Sequence, residues 1–187
     1  MTEPRILIAC IGNIFQGDDA FGVEVAKHLQ MRKLPENVRV IDFGIRGYDL
    51  TFALVDGYDV TILVDAAPRG EAPGTLYIIE PDIQEFENES AAMIDAHTMN
   101  PMNVLRVAHS MGAEFKRLLL VGCEPETLGG EEGLMGLSEP VEAAIPEAVN
   151  MIESLLSDIL AETGGIRPLS SEYAEENLPQ KANFENV

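Results

Sequence analysis

The sequence predicts an α/β fold: a mostly parallel sheet covered by helices on both faces. Three observations lead there. "RILIACI" (5–11), "VRVIDF" (38–43), "DVTILVDA" (59–66) and "KRLLLVGC" (116–123) are short apolar runs, as expected of strands buried on both sides. Helix-length segments alternate with most of these runs, and strand–helix–strand alternation builds a parallel sheet. The chain has 187 residues, 46% of them hydrophobic, which is enough for one domain with a sizeable core.

Each element follows from its local sequence. After the first strand, Asp18 or Asp19 opens a helix to about Met31, with Phe21, Val25, Ala26 and Leu29 apolar. "GYDLTFALVD" (47–56) is a short helix between the second and third strands. "PRGEAPG" (68–74) holds two prolines and two glycines, so the chain turns. "TLYIIE" (75–80) follows too closely for a helical crossover and should pair antiparallel or lie on an edge. Residues 81–97 are polar. "MNPMNVLRVAHSMG" (99–112) is a helix, with Thr98 as N-cap and Pro101 in its first turn. "EPETLGGEEGLMGLS" (124–138) is a long loop. A final helix runs from about Glu139 to Ala161, with Pro146 bending it or marking its true start. The domain is expected over 1–162, with 163–187 as a flexible tail of little periodicity.

Charge and cysteines narrow the function classes. With 32 acidic and 12 basic residues the formal charge is −20, so nucleic acid and anionic membrane would be repelled. No secretory signal is read, and no run approaches the roughly 20 apolar residues of a membrane span. The two cysteines, Cys10 and Cys123, are neither a disulfide framework nor a zinc knuckle. A cytoplasmic protein with free thiols is expected.

The loop after strand one raises a chemical question. Gly12, Gly17 and Gly22 have the spacing of neither a dinucleotide fingerprint nor a P-loop. Asp18 and Asp19 stand where a pyrophosphate would lie and would repel it. One of them has a structural use as a helix cap. The other is left to bind a cation or a cationic centre. Ligands of parallel sheets collect beyond the carboxyl ends of the strands. Asp65 ends strand three there, and His97 precedes a helix that starts near the same rim. Asp19, Asp65 and His97 are therefore expected to converge on one point. Two carboxylates and an imidazole suit a borderline divalent metal with open coordination positions. Asp18, Asp42, Asp95 and His109 are rival members; His28, near the end of helix one, is a weaker choice.

Taken together these segments resemble one family, the hydrogenase maturation proteases. The family's first strand, G-(I/V)-G-N loop and acidic pair match "ACIGNIFQGDDAFGVEVA", with Ala9-Cys10 in place of the usual first glycine region. Its D-G-G-x-x-G segment matches "DFGIRG", where Phe43 replaces a glycine. "LVDAAPRGEAPGTL", "AHTMNPMNVL" and "VGCEPETL" followed by "GLS" match its later segments in order, so the resemblance covers about residues 5–160.

The resemblance implies a three-layer α/β/α sandwich of the phosphorylase/hydrolase-like type. Its five-stranded mixed sheet would have the order 2-1-3-5-4, with strand 4 antiparallel. It implies an endopeptidase that trims the C-terminal extension from the large-subunit precursor of a nickel–iron hydrogenase. Nickel would arrive bound to the precursor, and Asp19, Asp65 and His97 would contact it as metal-binding and catalytic residues. No organic cofactor is implied, and a monomer is expected. Two other classes remain compatible with the residues: an independent metallohydrolase of small peptides or amides, and a non-catalytic nickel-dependent maturation chaperone.

Overall fold

The computed structural model describes residues 3–81 and 101–163. His97, Asp95, the Thr98 cap and the tail from residue 164 lie outside the described residues. The strands are β1 (Ile6–Ile11), β2 (Val38–Gly44), β3 (Val60–Ala66), β4 (Leu76–Ile79) and β5 (Leu118–Cys123). The helices are α1 (Phe21–Gln30), α2 (Gly47–Val55), α3 (Pro101–Ser110) and α4 (Glu139–Thr163), and a short 3-10 turn spans Gly17–Ala20. The sheet order is β2-β1-β3-β5-β4. β4 runs antiparallel to β5, and the other pairs are parallel. The expected edge position and direction of "TLYIIE" are therefore found.

Alternation along the central strands splits the core into two layers. Ile6, Ile8 and Cys10 of β1, with Ile62 and Val64 of β3, pack in the layer that also contains Phe21, Val25 and Leu29 of α1 and Val149 and Ile152 of α4. Leu7, Ala9, Ile11 and Leu63 pack on the other side with Leu50 and Leu54 of α2 and Leu105 of α3. Together they form a three-layer α/β/α sandwich. Phe43, at the position where the resemblance implies a glycine, is buried in the second layer and serves as a core side chain.

One boundary differs from the sequence expectation. The first helix does not start at the aspartates: Gly17–Ala20 is 3-10, and α1 begins at Phe21. The last helix begins at Glu139, as expected, and continues through Pro146 rather than starting there.

Gly22 lets α1 sit directly on the sheet. A Cβ there would come within 2.1 Å of the Ile11 carbonyl oxygen and 2.3 Å of that of Val64. Backbone cannot yield as a flexible side chain can, so Gly22→Ala is expected to cost about 3 kcal/mol. Urea unfolding measures this; an unchanged midpoint would show that α1 can shift freely.

β3 separates the strands that carry Cys10 and Cys123, and both cysteines are free and buried. Burial pushes the Cys10 thiol far up, and the carboxylates of Asp42 and Asp65 add to it. Burial, then Asp18 and Glu124, pushes Cys123 up to about 12. Neither is an activated nucleophile. Among the described residues no helix is long and apolar enough to cross a membrane.

Candidate functional site

The site is built where β1 and β3 end. Past Ile11 the chain turns through Gly12, whose φ is +147°. A Cβ at Gly12 would stand 1.9 Å from the Asp19 carbonyl oxygen, so the loop rests directly on the 3-10 turn. Only glycine permits that approach. The next residue then reaches the site: the Asn13 N–H donates to Asp19 Oδ2 at 2.8 Å. Asp19 is half-buried. Burial raises its pKa, and the Asn13 hydrogen bond offsets only part of the rise.

Asp65 is the second last residue of β3 and is 8% exposed. Its Oδ1 accepts the Ala66 N–H at 2.9 Å. Its pKa stands well above the ordinary carboxylate value. Burial is the main cause and the charge of Asp19 the second, with the Ala66 N–H opposing both. The two carboxylates are thus electrostatic neighbours at one rim. Such a pair favours a proton or a cation between its members. It can take part in proton transfer or supply oxygen ligands to a metal.

The rival residues separate by position. Asp42 lies within β2 opposite Cys10, two residues before the strand ends, and its buried Oδ1 has no hydrogen-bond partner among the described residues. His109 lies eight residues into α3, about 12 Å along the axis from Pro101. His28 lies in the last turn of α1, with its Nδ1 2.9 Å from the Glu24 carbonyl oxygen. The start of α3 is at the site: Pro101 and Met102 line a cavity of about 20 Å³ together with Asp65. Among the described residues no three His, Cys, Asp or Glu side chains form a group that could hold a metal.

Asp18 is fully buried, and its carboxylate is taken up by a distant loop. Its carboxylate accepts the N–H groups of Glu126, Thr127 and Ser138 at 2.8, 3.0 and 2.6 Å, and the Ser138 hydroxyl at 2.9 Å. Burial is the largest influence on its pKa and raises it. The hydrogen bonds together overcome that and hold it below the usual range. Asp18 thus organises the 126–138 loop, and no side-chain cap is made to its own turn.

A third buried carboxylate went unread in the sequence. Glu124 directly follows β5, at the same rim as Asp65 near the end of β3, and it is 5% exposed. It accepts the Arg69 N–H at 2.7 Å, the Gly70 N–H at 3.1 Å and the Tyr77 hydroxyl. Burial works against its ionisation, yet these bonds, Tyr77 first, hold its pKa down. Glu124 thereby ties down the turn that follows Asp65. The signal that marked Asp65, an acid at the carboxyl end of an apolar strand, also marks Glu124.

Known proteins match this chain. Residues 23–155 match the model of a family described as hydrogenase maturation protease. The hydrogenase expression/formation protein HoxM of Azotobacter vinelandii is 35% identical over 96% of this chain and 83% of its own length. The hydrogenase 2 maturation protease of Escherichia coli is 33% identical over 82% of this chain and 92% of its own. Among solved structures, the hydrogenase maturating endopeptidase HybD from E. coli superposes with a TM-score of 0.66 at 30% identity, covering 86% of this chain and 94% of its own. This chain belongs to the hydrogenase maturation protease family.

Proposed function

We propose that this chain is an endopeptidase that removes the C-terminal extension of a nickel–iron hydrogenase large-subunit precursor after nickel insertion. Asp19, Asp65 and His97 contact the nickel that the precursor carries. The observation that carries this reading is the Asp19–Asp65 pair, held at one rim with both pKa values raised. Two like charges so placed are relieved by a bound cation, so a precursor with its metal binds better than one without. Binding energy available only with nickel present makes the metal a checkpoint. The names of the relatives support the class: one is a hydrogenase 2 maturation protease, another a hydrogenase maturating endopeptidase. His97 joins the set through its place in the chain, four residues before the Pro101 that borders Asp65's cavity.

Carboxylates with raised pKa are stronger bases than ordinary ones. Asp19, the more exposed of the two, is suited to take a proton from the attacking water and pass it to the leaving amine. No thiol nucleophile competes, since both cysteines are buried with raised pKa. The experiment is intact-mass analysis of a large-subunit precursor co-expressed with this chain, with and without nickel in the medium. The C-terminal peptide should leave only when both nickel and this chain are present. Equal release without nickel would contradict the checkpoint, and no release from loaded precursor would contradict the function. Serine and cysteine protease inhibitors should change nothing.

A further inference from the structure

Beside the carboxylate pair, four large apolar side chains point into solvent. Ile14 is 40% exposed, Phe15 57%, Leu134 44% and Met135 72%. They come from two loops far apart in sequence that are stitched together. The Gly17 N–H donates to the Leu134 carbonyl at 2.7 Å, and the Leu134 N–H donates to that of Phe15 at 2.8 Å. The Asp18 N–H donates to the Thr127 carbonyl at 2.9 Å, while the Asp18 carboxylate holds residues 126, 127 and 138. A fully buried charge is costly unless its hydrogen bonds are complete. Here that charge fixes a loop whose large side chains lie outside. The patch is thus preorganised, and clustered exposed apolar groups with a polar rim mark interaction surfaces. Ile14 and Met135 also line a groove of about 680 Å³ that continues past Leu137 to Ile145.

Charge selects the occupant. Residues 124–142 contain six glutamates and no lysine, arginine or histidine. Glu126, Glu131, Glu132, Glu139 and Glu142 are exposed. A second copy of this chain would set glutamates against glutamates across a self-complementary contact. A basic, apolar segment meets no such repulsion from this loop, and on the groove's α1 wall the charge of Lys27 is paired with Glu24 at 2.6 Å. Its place is also fixed: the loop that presents Ile14 and Phe15 supplies the Asn13 N–H that holds Asp19.

We propose that Ile14, Phe15, Leu134 and Met135 dock an apolar segment of the substrate protein flanked by lysine or arginine, beside the carboxylate pair. This rests on the precursor-processing reading above. The test is steady-state cleavage of nickel-loaded precursor by the full chain and by the double variant Phe15→Ser/Met135→Ser. KM should rise at least about tenfold, the equivalent of 1.4 kcal/mol, with the loss falling on KM rather than on kcat. A second variant, Glu131→Lys/Glu132→Lys, alters only exposed charge, so it reads the same surface if the first folds poorly. It should also raise KM, and added salt should raise the wild-type KM. Unchanged KM in both variants, while Asp65→Asn is inactive, would overturn the docking surface and leave the processing function standing. A wild-type chain that cleaves no loaded precursor would overturn both. A dimer that dissociates in the double variant with KM unchanged would assign the patch to self-association and overturn the proposal.

Discussion

Asp65→Asn is expected to raise the melting temperature of the free protein while reducing precursor processing by about 100-fold or more. The stability sign follows from the raised pKa. Burial, and then the charge of Asp19, disfavours the ionised form in the folded state. The stability that goes with protonated Asp65 is complete below the unfolded pKa of about 3.9 and is lost as pH rises through the folded pKa. At neutral pH the wild type bears that loss, and the isosteric amide does not. The expected gain is a few degrees, about 1 kcal/mol for a chain of this size. It should shrink as the pH falls toward that of an ordinary carboxylic acid. Thermal melts over a pH series beside precursor cleavage at one pH measure both halves. A structural Asp65 would show the reverse: lower stability, with activity falling only as the protein unfolds.

Asp18→Asn carries the opposite sign. Its carboxylate accepts four hydrogen bonds, and an amide would turn an NH2 group toward some of those donors. A loss of about 3 kcal/mol is expected, since hydrogen bonds to a buried charge are strong and an unmet donor is costly. The folded pKa is lowered, so this stability is present above the unfolded pKa and disappears as pH falls through the folded one. The gap between variant and wild type should therefore be widest near neutrality and close in acid. Urea midpoints across pH test this. Limited proteolysis should cut the variant within 126–138 first, and equal resistance in both proteins would show that the loop does not depend on Asp18.

Much of the fold was legible because the central strands are apolar along their whole length. "ILVDA" can only be a strand buried on both faces, and the short step from it to "TLYIIE" excludes a crossover. The Asp19–Asp65 pairing was legible for a related reason: an acid at the end of such a strand needs a purpose. Asp18 was harder to read. Cap signals are local, whereas its four acceptor bonds go to residues 108 to 120 positions later. With that carboxylate turned to the distant loop, nothing caps α1 at the aspartates, and the chain passes through a 3-10 turn first. Phe43 was opaque for the same reason, since only the packing of α2 shows that a side chain is wanted there.

Contact between the precursor's nickel and Asp19, Asp65 and His97 is tested most directly through His97, the member read from sequence and family resemblance. The measurement is the rate at which the C-terminal peptide leaves nickel-loaded precursor, followed by intact mass, for wild type and His97→Ala at matched melting temperature. Loss of one ligand from a three-ligand contact should slow release by about 100-fold. The melting curve should stay where it was. Full processing by His97→Ala at normal stability would contradict the nickel contact as described.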